Sequence, residues 1–80
     1  MDQSKILTEI NRIFIEVLDE ENIEINEYTT ADDVDDWDSL THMELIVAIE
    51  KRFKLSFTTQ EIFEWENVGA MCAAIEKHLK

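Results

Sequence analysis

Apolar positions at the start of the chain recur at intervals of three and four residues. They are Ile6, Ile10, Ile13, Phe14 and Val17. Residues at these intervals share one face of an α-helix. Charged side chains occupy the positions between them. The pattern predicts an amphipathic helix from about Ser4 to Leu18 with one buried stripe.

The next segment, residues 19–37, lacks a helical period. Asn and Thr residues favour turns over helix interior there, and so do the clustered aspartates Asp32, Asp33, Asp35, Asp36 and Asp38. So long a loop is unusual in a small domain, and such loops are often functional. We expect its scattered apolar residues to hold it against the helices, with a short helical turn near Ala31. These residues are Ile23, Ile25, Tyr28 and Val34.

Three further helices follow from capping residues and apolar spacing. Asp38 or Ser39 can cap a helix that runs to about Phe53, because either side chain can accept from first-turn backbone N–H groups. Thr58 and Glu61 form a capping-box pattern and start a short helix that ends near Trp65, and Phe63 and Trp65 are expected to close it onto the core. Asn67 can cap a last helix, which carries Val68, Met71, Cys72 and Ile75, with Leu79 near its end.

The end of the last helix carries positive charge, which suits a helix C-terminus. The residues are Lys77, His78 and Lys80. The chain has no Pro and one Gly, the two residue types that most disfavour a helix. The 80 residues are therefore expected to form one all-α domain, 1–80, a three- or four-helix bundle with a long first loop.

The second helix carries two apolar stripes instead of one. At about 100° per residue, one side holds Leu45, Ile46, Ile49 and Phe53, which predicts a core stripe. Nearly opposite are Leu40, Met43 and Val47, with Glu44 among them and Glu50 at the edge. Apolar contact edged by charge suits docking to a partner. The alternative is that both stripes are buried, one of them under the long loop.

The charge of the chain excludes some partners. Lys and Arg total 7 and Asp and Glu total 19, for a net charge of −12. Such a surface repels nucleic acid and anionic lipid and suits basic proteins or divalent cations, although acidity also simply favours solubility. No apolar run approaches the length of about 18 residues that spans a membrane, and no signal segment is evident. A cytoplasmic monomer with no membrane insertion is the expectation.

Ser39 is the candidate for chemistry, because it stands where the second helix begins. A phosphate ester on it would face free backbone N–H groups and the positive end of the helix dipole. An Asp-Ser pair alone, however, equally indicates an ordinary helix cap. Cys72 is the single cysteine, which leaves no intramolecular disulfide and no cysteine metal site. We expect Cys72 to pack in the core and His42 to lie at or near the surface.

Two other classes of site fit poorly. A calcium-binding loop that starts at Asp33 has Asp35 and Glu44 in place. It has Trp37 at its fifth position and Asp38 where Gly is required, so no metal site is predicted. A serine hydrolase would need more than Ser39 near His42, since no Gly-rich elbow is present and the chain has no room for an oxyanion pocket. No catalytic residue is predicted.

A longer motif favours a chemical role for Ser39 over that of a simple helix cap. The sequence Asp38-Ser39-Leu40, then Met43-Glu44-Leu45, Ala48-Ile49-Glu50 and Phe53, resembles the acyl carrier protein family. The likeness extends over nearly the whole chain. In that family the serine receives a phosphopantetheine arm. The resemblance therefore implies a covalent phosphopantetheine on Ser39, and a protein that holds acyl or aminoacyl groups as thioesters without being an enzyme.

The resemblance also implies roles for neighbouring residues. Asp38 would help to place the magnesium-bound donor in the complex with a phosphopantetheinyl transferase. The positions that match the family's contacts with acyl-loading and acyl-processing enzymes are Leu40, Glu44, Val47 and Glu50. Phe57 would lie near the arm and the acyl chain. Asp36-Trp37 stands where many carriers have a Gly, which favours a specialised stand-alone carrier over housekeeping fatty acid synthesis. The alternative is a small acidic helical adaptor with Ser39 as a cap.

Overall fold

Four α-helices, connected by one long and two short segments, make up the computed structural model, which describes residues 2–79. Their bounds are α1 Gln3–Leu18, α2 Ser39–Phe53, α3 Thr59–Glu64 and α4 Val68–Leu79. A 3₁₀ turn at Ala31–Asp33 interrupts the long loop, hereafter loop 1 (residues 19–38). The predicted all-α bundle with a long first loop is confirmed, and so is the helical turn near Ala31.

Helix α1 supplies one wall of the core and packs against α2 and α4. Four residues of the predicted stripe are buried, Ile6, Ile10, Ile13 and Phe14. The predicted fifth member, Val17, is only partly buried, and the neighbouring Leu18 is buried instead. The Asp2 carboxylate accepts from the backbone N–H of Lys5 at 2.9 Å and caps the helix. On α2 the facing stripe consists of Leu45, Ile46 and Ile49, all buried. The Arg52 Nε of α2 also donates to the Glu9 carboxylate at 2.8 Å, which joins the two helices at the surface.

Loop 1 is held to the helices by specific backbone contacts. Ile25 is buried, and its N–H donates to the side-chain oxygen of Asn11 at 2.8 Å. Ile23 and Val34 pack against the core from partly buried positions. The expectation for Tyr28 is wrong, because its side chain is 76% exposed. The turn from Asn26 to Thr29 points Tyr28 outward and buries Thr29, whose hydroxyl accepts from the Asn26 N–H at 2.8 Å.

Loop 1 also closes the N-terminal end of α4. The backbone N–H of Val68 donates to the Thr29 carbonyl at 2.9 Å, and the N–H of Gly69 donates to the Glu27 carbonyl at 2.7 Å. A Cβ at position 69 would lie 2.7 Å from that same Glu27 oxygen, so the approach requires glycine. Asn67 accepts from the Ala70 N–H at 2.9 Å, which confirms the predicted cap. Together these bonds satisfy N–H groups that a helix leaves unpaired at its start.

Helix α3 is short and faces the core with few side chains. Thr58 and Glu61 form the predicted capping box, and Ile62 is the buried residue. Trp65, just after the helix, packs against the core. The expectation for Phe63 is wrong, since 69% of its surface is exposed. Successive helical residues are rotated by about 100°, so burial of Ile62 turns Phe63 toward solvent.

Helix α4 buries Val68, Met71, Cys72 and Ile75. Cys72 is the core residue that the sequence predicted. Burial first, and the nearby charge of Glu27 second, raise the pKa of its thiol to about 11. His78 lies 2.9 Å from the Glu61 carboxylate and joins the end of α4 to α3. Lys77 also lies in the last turn, as expected, and Lys80, the third cation expected there, lies outside the described residues. None of the helices in residues 2–79 has the length and apolar character needed to cross a membrane.

Candidate functional site

Asp38 caps helix α2. Its Oδ1 accepts from the backbone N–H groups of Leu40 at 3.0 Å and Thr41 at 2.9 Å. The Thr41 hydroxyl accepts in return from the Asp38 N–H at 2.8 Å. These bonds stabilise the carboxylate, above all the one from the Thr41 backbone, and lower the pKa of Asp38 below its ordinary value. Of the two proposed caps, the structure therefore selects Asp38.

The Asp38 cap changes the electrostatic environment that was predicted for Ser39. The N–H groups of Leu40 and Thr41 are already bonded to the Asp38 carboxylate. The expectation that a phosphate on Ser39 would face free N–H groups is therefore wrong for these two, because a fixed carboxylate occupies them. What remains at the helix start is the positive end of the dipole.

Ser39 is the first residue of α2 and its side chain is exposed. Among residues 2–79 its hydroxyl has no hydrogen-bond partner. An exposed hydroxyl with no internal partner is open to chemical modification without loss of a structural contact. The position therefore fits a covalent group that extends away from the protein.

Ser39 is one of the residues that line a cavity of about 270 Å³, hereafter the aromatic groove. Loop 1, α2, α3 and the segment after α3 all contribute to it. Its lining residues are Ala31, Trp37, Asp38, Ser39, His42, Phe63, Trp65 and Glu66. Four of these eight residues have aromatic rings, and the two with carboxylates are exposed.

Hydrogen bonds fix the inner wall of the aromatic groove. Trp37 is buried, packs edge-to-face on Phe14 with ring centroids 4.9 Å apart, and donates from Nε1 to His42 Nδ1 at 3.0 Å. Because Nδ1 accepts, the hydrogen-bond network assigns the proton to Nε2. Nε2 lies 3.3 Å from the Ile62 carbonyl and donates to it. His42 thus ties loop 1 and α2 to α3.

Trp65 forms another wall of the groove and packs against Phe57. The two rings meet edge-to-face with centroids 4.9 Å apart. Phe57 in turn contacts His78 at 5.1 Å and does not line the aromatic groove. Trp65, and not Phe57, lines the groove together with Ser39. That Phe57 lies near the arm and the acyl chain stays a prediction.

Comparison with known proteins decides the family. The family model described as phosphopantetheine attachment site matches residues 8–75. The chain belongs to that family. The fold agrees with the NMR structure of a holo acyl carrier protein from Geobacter metallireducens, with a TM-score of 0.86 and 38% sequence identity over 91% of this chain and 84% of that one. A comparison with curated proteins gives no match.

The carrier family is defined by a covalently attached phosphopantetheine, and the residues of this chain fit that group. The exposed Ser39 hydroxyl stands at the start of α2, inside the matched range, with a groove beside it. When bound, phosphopantetheine supplies a terminal thiol that forms thioesters. The family predicted from the longer motif that begins with Asp38-Ser39-Leu40 is confirmed.

The second apolar stripe of α2 is on the surface of the carrier. Leu40 is 71% exposed, and Met43 and Val47 are about half exposed. Glu44 is exposed among them. The alternative in which both stripes are buried is therefore wrong. This set of four residues, Leu40, Met43, Glu44 and Val47, is hereafter the α2 face.

Glu50 stabilises the connection between α2 and α3, in addition to any contact with partners. Its Oε2 accepts from the backbone N–H of Phe57 at 2.9 Å and braces the turn between α2 and α3. The side chain is partly buried. Its carboxylate is therefore less available to a partner than that of Glu44.

Two features of the structure concern the calcium-loop and serine-hydrolase alternatives. Helix α2 is continuous from Ser39 through Glu44, where a calcium loop would have to be. Within residues 2–79 no group of three or more His, Cys, Asp or Glu side chains is arranged to hold a metal ion. His42 is bonded to Trp37 and Ile62 and not to Ser39, so no nucleophile–base pair is formed.

Sequence reasoning missed the aromatic groove as a unit. Trp37 and His42 stand two residues before and three residues after Ser39, which is a signal that the sequence did contain. Trp65 and Phe63 had no comparable signal, because they reach Ser39 only through the packing of α3.

Proposed function

We propose that this chain carries its phosphopantetheine on Ser39 and holds acyl or aminoacyl groups as thioesters on the arm. The observation that supports Ser39 most directly is its exposed hydroxyl, without an internal hydrogen-bond partner, at the first position of α2 within the family motif. Ser4 and Ser56 are the other serines of the chain, and neither follows an Asp or starts a helix.

The loading step is a phosphoryl transfer with coenzyme A as donor. The Ser39 oxygen forms a bond to the phosphorus next to the pantetheine, and the bond from that phosphorus to the adenosine bisphosphate breaks. The hydroxyl proton leaves to a base of the transferase. Asp38 directly precedes Ser39 and is ionised at neutral pH, so its carboxylate would be available to the magnesium ion of the donor complex.

The α2 face is proposed as the docking surface for the transferase and for acyl-loading and acyl-processing enzymes. Leu40, Met43 and Val47 offer apolar contact, and Glu44 with the net charge of −12 offers attraction to basic rims. Charge steering of this type speeds encounter and weakens with salt. The carrier would therefore bind each enzyme briefly, and the chemistry would remain with the enzymes.

The test is intact-protein mass after incubation with coenzyme A, Mg²⁺ and a broad-specificity phosphopantetheinyl transferase. The wild type and Ser56→Ala should gain one phosphopantetheine, and Ser39→Ala should gain none. Circular dichroism should show Ser39→Ala folded, since its hydroxyl makes no hydrogen bond within the described residues.

Two results would contradict the proposal in different ways. A mass gain on Ser39→Ala would place the arm elsewhere in the chain. No gain on the wild type, with a transferase shown to be active on a known carrier, would favour the acidic adaptor with Ser39 as part of a helix cap.

A further inference from the structure

The exposed charges of α2 change sign along the helix. Asp36 is exposed just before the helix, and Glu44 is exposed in the α2 face. At the other end Lys51 and Lys54 are exposed, and these two residues are hereafter the basic end of α2. The side of the carrier that is proposed for docking is therefore acidic near Ser39 and basic where α2 ends.

Lys51 extends the α2 face in a straight line. At about 100° per residue, it is rotated by only about 20° from Leu40 and from Glu44. The rise of about 1.5 Å per residue places it about 10 Å beyond Glu44 and about 18 Å beyond Ser39 along the helix axis. Lys54 follows as the C-cap residue of the same helix. A partner that covers the whole α2 face would therefore also meet the basic end.

The other charged residues at this end of α2 are engaged within the protein. Arg52 donates to the Glu9 carboxylate of α1, and Glu50 accepts from a backbone N–H of the turn that follows α2. Among residues 2–79, neither Lys51 nor Lys54 forms a salt bridge. Their ammonium groups are therefore available to another molecule.

We propose that the basic end of α2 makes this carrier select enzymes whose docking rim, the surface around the entrance for the arm, carries both signs of charge. Such a rim is basic where it meets Glu44 and acidic where it meets Lys51 and Lys54. The inference rests on the proposed docking at the α2 face. It makes Lys51 and Lys54 specificity-determining residues.

Charge complementarity selects this kind of partner. A rim that is basic along its whole length would place cations against Lys51 and Lys54, and like charges across an interface disfavour the wrong partner. An acidic patch about 18 Å from the entrance for the arm pairs with the two lysines instead. Because opposite signs must match at both ends of one face, the orientation of the carrier on the enzyme is fixed as well.

A cation near the C-terminus of a helix also interacts favourably with the helix dipole. Lys77 is a matched control for this effect, because it is exposed in the last turn of α4. Charge reversal at Lys51 or at Lys77 changes the same dipole interaction and the same net charge, but only Lys51 lies in line with the α2 face. A role limited to the dipole would make the two reversals equivalent in every binding measurement.

The experiment follows the binding of two helical peptides to the isotope-labelled full chain by NMR at low salt. Both peptides have leucines on one face and equal numbers of Glu and Lys. The bipolar peptide has Glu in its first half and Lys in its second half, whereas the alternating peptide mixes them along its length. The bipolar peptide should shift the signals of the α2 face and bind at least about threefold more tightly than the alternating one.

Spin labels report the orientation of the bipolar peptide. A label at its Glu end should broaden the amide signals of residues 51–54, and a label at its Lys end should broaden those of residues 40–44. This arrangement is antiparallel to α2, so that opposite charges meet at both ends. Added NaCl should weaken the binding, because exposed charges are screened by salt.

Lys51→Glu is the main variant. It should reduce the preference for the bipolar peptide, and the addition of Lys54→Glu should abolish both this preference and the fixed orientation. Lys77→Glu should keep both. Thermal melts of the three variants show that each one is folded at the temperature of the titration.

The outcomes separate this inference from the proposals before it. Equal affinity for the two peptides, or equal broadening at both ends of α2, would overturn the selection by charge and leave the α2 face as a docking surface. An unchanged preference in the double variant, or an equal loss in Lys77→Glu and Lys51→Glu, would also overturn it. Shifts that avoid the α2 face would contradict docking there, and the inference with it. Attachment at Ser39 is tested separately by the mass gain.

Discussion

Trp37 donates its indole N–H to Nδ1 of His42 at 3.0 Å, and Nε2 of His42 continues the chain of bonds to the Ile62 carbonyl at 3.3 Å. Three elements meet in this network: loop 1, α2 and α3. Helix α3 has six residues, and a helix that short is not stable by itself. Its position over the site depends on contacts such as these.

Removal of the indole donor should loosen α3. Trp37→Phe keeps an aromatic ring beside Phe14 but leaves His42 Nδ1 without its partner. We expect a loss of about 1–3 kcal/mol in the free energy of unfolding, measured in urea. Backbone amides of α3 should also exchange faster with deuterium.

Phe63→Ala is the control on the same helix, since an exposed substitution is expected to change stability by less than about 0.5 kcal/mol. Unchanged exchange of the α3 amides in Trp37→Phe would mean that the network does not hold α3.

The helices were predictable because their signals are local. Spacings of three and four in α1, the Thr58–Glu61 capping box and the Asn67 cap all lie within a few residues of the element that they define. Tyr28 and Phe63 were assigned wrongly because their exposure depends on a turn and on a helix direction that only packing sets. The bond between Trp37 and His42 crosses from loop to helix, so no helical spacing could have indicated it.

Gly69 should resist substitution by alanine, although helix propensity favours it. In an open helix the change to Ala gains about 1 kcal/mol. Here the new Cβ would lie 2.7 Å from the Glu27 carbonyl oxygen, so loop 1 must move. Such overpacking typically lowers the free energy of unfolding by about 1–3 kcal/mol. We therefore expect urea denaturation to show that Gly69→Ala is less stable than the wild type.

The control is Ala73→Gly, at an exposed position inside α4. This variant measures helix propensity without a steric clash, and its free energy of unfolding should fall by about 1 kcal/mol. A Gly69→Ala variant that is more stable than the wild type would show that loop 1 adapts without cost.

Acid should weaken the start of α2. The hydrogen bonds from Thr41 and Leu40 lower the pKa of Asp38 in the folded chain below its ordinary value of 3.8. A carboxylate whose pKa is lower in the folded chain stabilises the fold at any pH above its unfolded pKa. This stabilisation is lost as the pH falls from the unfolded pKa to the folded pKa. Glu61 contributes in the same direction, because the Thr58 backbone and then His78 lower its pKa.

Asp38→Asn isolates the Asp38 part, since Asn caps helices about as well as Asp but does not titrate. Between pH 6 and pH 2 the melting temperature of this variant should fall by less than that of the wild type. Asp32→Asn removes one carboxylate charge from the 3₁₀ turn instead and controls for the change in net charge. Parallel curves for Asp38→Asn and the wild type would refute the assignment.

Divalent cations should stabilise the chain. A net charge of −12 causes self-repulsion that opposes the compact state. Cations that associate with the folded surface raise its melting temperature by mass action. Millimolar Mg²⁺ or Ca²⁺ at low salt is therefore expected to raise the melting temperature by several degrees, and by more than NaCl of equal ionic strength. No change with Mg²⁺ or Ca²⁺ would contradict this.

Cys72 is buried on α4, and burial first, with the charge of Glu27, raises the pKa of its thiol to about 11. Thiol reagents attack the thiolate, so at neutral pH this cysteine reacts slowly. A phosphopantetheine arm on the exposed Ser39 would add a second thiol outside the helical core. A maleimide dye or a resin should therefore couple to the arm and leave the polypeptide unlabelled, without replacement of any residue.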